Sequence, residues 1–182
     1  MIDLLVNDDT LSVARLLINI NYIHTFSYKK KRENPWKQEK EIIASVFRKY
    51  DLSINLTASD RSVIYALFAS KNSISAIEKD NSKSWWKKSL LMHHYFFDTT
   101  KHILTNNLKP LNFLKIKHTN ILGKPKVSEV TMARLKNKLD KKCIKDFVIF
   151  HPSAQYNYKI YPKHLRHELL SKLSGLAFSV VI

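Results

Sequence analysis

The stretch HPSAQYNYKIYP, residues 151–162, places a hydroxyl, small residues and one ammonium between two apolar segments. Ahead of it, FVIF reads as a strand that ends at His151. Behind it, Pro162 suits the first turn of a helix whose buried face is Leu165, Leu169, Leu170 and Leu173. A strand-to-helix turn of this composition can receive a phosphate. Ser153 offers its hydroxyl, backbone N–H groups around Ala154 and Gln155 can approach closely, and Lys159 supplies a compact counter-charge. The same residues also suit an ordinary connection carrying an unattached lysine, and spacing alone does not separate the two.

The second group of chemistry-bearing residues is cationic. The chain of 182 residues has 31 Lys and Arg against 15 Asp and Glu, a net charge of +16. Such a balance predicts attraction to polyanions: nucleic acid, anionic lipid headgroups, phosphorylated glycans or nucleotide phosphates. A lysine-rich surface inherited from biased composition is the alternative. The positive residues cluster at 29–32 and 83–88, and Arg61 follows Asp60 directly. Asp60 with Arg61 reads as a helix cap and a surface charge unless its loop faces a cleft. His93 and His94 are adjacent, which suits a shared metal poorly, and no Asp-x-Asp triplet offers a ligand for a diphosphate-bound metal. Cys143 stands alone, so neither an internal disulfide nor a cysteine-built zinc site is available. No apolar run approaches the length that crosses a bilayer, and residues 1–10 lack a signal peptide's basic lead, so a cytoplasmic protein is expected.

The elements that must position these residues alternate. Strands are expected at 2–6, 22–26 and 50–57, with a weaker one at 73–77. Helices are expected at 11–20, from Pro35 through a stripe of Ile42, Ile43, Val46 and Phe47, and after a Ser59–Asp60 cap. That last helix carries Val63, Ile64, Leu67 and Phe68 on one side. Residues 84–97 read as partly helical, and 100–114 as a helix that Pro110 breaks or kinks. Residues 115–127 hold one of the two glycines and Pro125, the best domain boundary. A solvated helix capped by Ser128 follows. Strand, helix, strand repeated predicts an α/β chain with a parallel sheet and crossover helices. Ligands then bind beyond the carboxyl ends of the strands, at loops 7–9, 27–32, 57–61, 78–88 and 151–162.

The segment HPSA…K…Y…FSVVI, with His151, Pro152, Ser153, Ala154, Lys159 and Tyr161, resembles the opening of the second domain of the heptosyltransferases of glycosyltransferase family nine. The residue count from histidine to lysine is most similar to the subgroup that adds the third, branching heptose to the lipopolysaccharide inner core. Three further stretches resemble the family in the same order: KYDLSINLTASDRS at 49–62, KSWWKKSLLMHH at 83–94, and HILTNNL at 102–108, where Thr105 replaces the usual glutamate. The resemblance implies a GT-B-type architecture. Residues 1–114 would form an incomplete Rossmann-like acceptor domain, 115–127 a linker, and 128–182 the first βαβ unit of the donor domain. It further implies metal-independent, inverting transfer of heptose from ADP-heptose, without a cofactor. Ser153, Ala154 and Lys159 would hold the donor diphosphate, and Asp60, Arg61, Lys83, Lys87 and Lys88 would line the acceptor site. The family's N-terminal Gly-Asp turn, which carries its candidate base, and its later Asp-(Ser/Thr)-x-x-x-His segment have no counterpart here. On this reading the chain is truncated at both ends, its catalytic base is unassigned, and it is inactive alone.

Two other readings fit the charge. A nucleic-acid module would need aromatics such as Trp85 and Trp86 exposed beside the basic clusters. Against it, lysines outnumber arginines by 25 to 6 and no nucleic-acid motif occurs. A non-catalytic partner at the inner membrane would bind anionic lipid through residues 29–32 and 83–88.

Overall fold

The computed structural model describes residues 1–79, 81–117, 125, 127–154, 156–176 and 179–181, excepting the side chains of residues 35, 81 and 83. The chain divides into two compact units, Met1–Lys126 and Val127–Ile182. It is an α/β protein, and among the described residues every strand pair is parallel.

In the first unit β1 (Asp3–Asn7) pairs with β2 (Tyr22–Phe26) from Asp3↔Tyr22 to Asn7↔Phe26. A second sheet has the order β3 (Ser53–Asn55), β4 (Ser73–Ile77), β5 (His93–Phe96). The helix expected over 11–20 is only α1 (Leu11–Ala14). Asn19 adopts a left-handed φ of 63°, and Asn21 hydrogen-bonds Ile2 through both its backbone N–H and its side-chain oxygen. The chain must turn back there to bring β2 into register with β1, and asparagine tolerates that conformation.

Residues 27–32, expected as a loop, form α2 (Tyr28–Glu33), because Ser27 caps it by accepting from Lys30 N–H. The Ser27 backbone is bonded on both sides by the buried Gln38 amide, at 2.7 and 3.0 Å. Gln38 lies on α3 (Pro35–Val46), which begins at Asn34 and Pro35 as helix chemistry dictates. The helix α4 (Asp60–Ala69) is capped by Ser59 as expected, but its buried face is Val63, Tyr65, Ala66 and Ala69. Ile64 and Phe68 turn outward, a correction to the sequence pattern. Strand β5 follows α5 (Asn81–Leu90), and two short helices, α6 (Ile103–Asn107) and α7 (Lys109–Phe113), meet near Pro110.

The core is built around β4, whose five residues are all buried. Ile74 and Ala76 pack with Tyr95, while Ile77 faces Val63 and Leu91 with Leu67 and Trp86 beside them. A third cluster, Phe26, Ile42 and Tyr65, joins β2 to α3 and α4. A hydrogen-bonded file supports that join: Ser45 Oγ lies 3.1 Å from His24 Nδ1, His24 Nε2 lies 3.0 Å from the Tyr50 hydroxyl, and Tyr50 donates to Asp3 at 2.7 Å. The Ser45 hydroxyl donates its one hydrogen to Ile42 O at 2.7 Å, so it stands toward His24 Nδ1 as an acceptor. Burial holds His24 below its ordinary pKa, with Lys49 in support and Asp3 opposing, and burial with the Asp3 bond pushes Tyr50 up to about 12. The unfolded chain therefore binds the His24 proton at higher pH than the folded one. This contribution is complete above pH 6.5, the ordinary value, and is lost as pH falls through the lower folded pKa. Melting temperature measured between about pH 7.5 and 5 should fall in the parent and fall less in His24→Phe.

The second unit holds α8 (Glu129–Lys141), capped by Ser128, then β6 (Phe147–Ile149), α9 (Lys163–Ser174) and β7 (Ser179–Val181). Strands β6 and β7 pair from Phe147↔Ser179 to Ile149↔Val181, so residues 147–181 form one strand–helix–strand crossover. Most of the expected linker, residues 118–124 and 126, lies outside the described residues, as do Gln155, Phe178 and Ile182.

Candidate functional site

In the first unit the loop after β3 is shaped by hydroxyls. Asn55 Nδ2 donates to Thr57 O at 2.6 Å and to Ser75 Oγ at 2.8 Å, and Thr57 Oγ1 donates to Ser62 Oγ at 2.7 Å. This network places Asp60 and Arg61 at the carboxyl end of β3, where open parallel sheets bind ligands. The Arg61 guanidinium lies 3.9 Å from the Phe26 ring centroid, with Nη2 3.5 Å from the Tyr28 hydroxyl. It thereby brings the loops after β2 and β3 together. Its Nη1 is buried and has no hydrogen-bond partner among the described residues, which leaves a forked donor uncommitted. Sequence reasoning named Arg61 but missed Phe26 and Tyr28, since no local pattern marks a contact across 33 residues.

Lys87 is not available as an acceptor ligand in this arrangement. Its side chain is 0% exposed, and its ammonium bonds Asp60 Oδ1 at 2.7 Å, Glu78 Oε2 at 2.6 Å and Ala58 O at 2.8 Å. An ammonium has three donors, so none remains for a phosphate. Asp60 gives Oδ1 to the same knot, and its side chain is 68% exposed. Lys88 belongs to the same helix, with Nζ 5.4 Å from the Phe96 ring, and Lys83 lies in the first turn of α5, its side chain outside the described residues. Trp86 packs in the core while Trp85 is exposed. His93 stacks on Phe113, and His94 is held below its ordinary pKa by burial, then by Lys88 and His93.

In the second unit the turn after β6 exposes His151, Ser153 and Ala154. Arg166 Nη1 donates to Pro152 O at 3.1 Å and so ties the turn to α9, while Arg166 Nε is buried and unpartnered among the described residues. A cleft of about 170 Å³ opens between them, lined by Phe150, Pro152, Lys163, Arg166, His167 and Leu170. Lys159 ends a 3-10 turn, Asn157–Lys159, and its ammonium sits 5.3 and 5.6 Å from the rings of Tyr156 and Tyr158. It is exposed and in no ion pair among the described residues. Lys163, Arg166 and His167 were not singled out from sequence, although their i, i+3, i+4 spacing places them on one side of the first turns of α9. The turn can therefore present cations, a hydroxyl and a helix N-terminus to an anion. No protein-family model, curated protein or solved structure matches this chain.

Proposed function

We propose that this chain is a GT-B-type glycosyltransferase polypeptide of the heptosyltransferase kind, handling ADP-heptose as donor and the lipopolysaccharide inner core as acceptor. The observation that carries the reading is the turn after β6. A hydroxyl and an exposed lysine lie in the segment between a parallel strand and a helix whose first turns carry Lys163 and Arg166. The four stretches that resemble the family, in family order, support it from the sequence side. In such a transfer the leaving ADP carries negative charge that must be stabilised, and preorganised cations do this more effectively than water. Ser153, Ala154 and Lys159 hold the diphosphate, with Arg166 fixing the turn's shape through Pro152. On the acceptor side Arg61 offers the uncommitted donor, with Lys83 and Lys88 nearby in sequence on α5, whereas Lys87 and Asp60 build the scaffold.

Titration calorimetry with ADP at low salt tests the donor assignment. The parent chain should bind ADP, and Lys159→Ala should weaken binding roughly tenfold, the worth of one hydrogen bond to a charged group. Equal affinity in the two proteins removes Lys159 from the site.

A further inference from the structure

The outer faces of α3 and α4 carry apolar side chains that their own unit leaves uncovered. On α3 the buried residues are Gln38, Ile42 and Val46, so Trp36, Lys40 and Ala44 fall on the opposite side at four-residue spacing. Trp36 is 75% exposed, and Phe47 at the helix end is 53% exposed. On α4 Ile64 and Phe68 point outward, and the rings of Phe47 and Phe68 lie 6.0 Å apart, joining the two stripes. Lys40 lies in the α3 stripe, the Arg48 guanidinium is 5.8 Å from the Phe47 ring, and Lys37 and the basic residues 29–32 of α2 are close neighbours in sequence. None of the cations at 29–40 forms an ion pair among the described residues. The acidic residues on α2, α3 and α4 are Glu33, Glu39, Glu41 and Asp60, of which Glu39 is committed to the Tyr65 hydroxyl and Asp60 pairs with Lys87.

We infer that this face docks on an anionic lipid bilayer, with Trp36 and Phe47 entering the boundary between headgroups and acyl chains and the surrounding cations meeting lipid phosphates. Charge complementarity commits the face to an anionic partner, and its apolar residues decide which kind. Tryptophan gains from an interface that is wet on one side and apolar on the other, and lysine stems spread along it while their ammonium groups stay in water. Outward Ile64 gains from hydrocarbon and nothing from base stacking. Single-stranded nucleic acid prefers aromatics set inside a cationic groove, whereas these stand on the outer faces of helices. No helix among the described residues is long and apolar enough to cross a membrane, so the contact is a surface one. The inference does not depend on the transferase reading, and either can fail alone.

Co-sedimentation with sucrose-loaded vesicles tests it, comparing phosphatidylcholine alone with the same lipid containing one-third phosphatidylglycerol. The full chain should partition onto the anionic vesicles only, less so at high salt. Each basic residue near a negative surface contributes roughly a fivefold change, so Lys30→Glu with Lys31→Glu should lower partition at least about tenfold. Trp36→Ala should lower it by about tenfold, and brominated lipid should quench the tryptophan emission of the parent more than that of Trp36→Ala. All three residues are exposed, so the far-ultraviolet spectrum and melting temperature should not move. Equal partition onto neutral and anionic vesicles, or partition unaffected by both variants, overturns the inference. Retention on single-stranded RNA without vesicle binding assigns the face to nucleic acid instead.

Discussion

Lys87→Ala should destabilise the first unit by about 3 kcal/mol, read from urea unfolding at pH 7. Burial alone would lower the Lys87 pKa, but Asp60 and Glu78 overcome it and hold the ammonium above its ordinary range. Glu78 shows the reciprocal behaviour. Burial raises it, and the Lys87 bond and charge bring it below the ordinary carboxylate value. Removing the ammonium leaves the Ala58 carbonyl without that donor and two carboxylates facing one vacancy. Breaking a fully buried pair costs about 3–5 kcal/mol. Asp60 and Glu78 are 68% and 40% exposed, so water relieves part of the loss and the lower end applies. Lys87→Met keeps the stem in the core and should cost about 1 kcal/mol less than alanine. The pH dependence has a fixed sign. A carboxyl whose folded pKa is depressed contributes stability above the unfolded value, here 4.5, and loses it as pH falls through the folded pKa. The gap between parent and Lys87→Ala should therefore narrow below about pH 4.5. A Lys87→Ala chain that melts like the parent yet loses phosphate affinity would return Lys87 to the acceptor site.

What could be read beforehand followed from local chemistry, and what could not followed from distance. Pro35, Ser59 and Ser128 act within three residues of themselves, and each helix starts where they sit. Strand β4 was faint because Ser73 and Ser75 interrupt its apolar run, yet both are buried, and Ser75 is satisfied by the Ala76 carbonyl and by Asn55. Strand β5 was hidden because HHYF continues an apolar run that began in α5, and nothing in the sequence says where helix gives way to strand. Helix α2 was hidden by its charge: KKKRE has no apolar face, and its order comes from the Ser27 cap and the Gln38 amide eleven residues on. The outward turn of Ile64 and Phe68 depended on which neighbours reached α4 first. Tyr65, bonded to Glu39 and clustered with Phe26 and Ile42, took the inward position. At the candidate site the same divide holds. The turn at 151–159 was visible because its residues are contiguous. Glu78 as the partner of Lys87, nine residues on across the turn into α5, and Phe26 as the platform for Arg61 were not, because no local spacing pattern marks either contact.

Asn106 should be nearly as sensitive as Lys87, and its two substitutions should separate geometry from charge. It is 0% exposed, and its side chain copies a strand partner for residue 98: Oδ1 accepts Asp98 N–H at 3.0 Å and Nδ2 donates to Asp98 O at 2.8 Å. Lys109 Nζ reaches the same Oδ1 at 3.1 Å and also bonds Phe96 O at 2.7 Å. The turn after β5 is thus held by one amide and one ammonium. Asn106→Leu fills the same space but leaves Asp98 N–H and C=O unmatched, and two such groups cost about 3 kcal/mol together. Asn106→Asp keeps the acceptor for Asp98 N–H and gains charge against Lys109, but it loses the donor to Asp98 O. Its cost should be about 1–2 kcal/mol near neutral pH. Thr105→Ala, one residue away and exposed, should change stability by less than about 0.5 kcal/mol. Chemical denaturation of the four proteins under one condition decides the matter. If Asn106→Leu is as stable as Thr105→Ala, the amide does not organise the turn, and the burial of Asn106 must be assigned to packing alone.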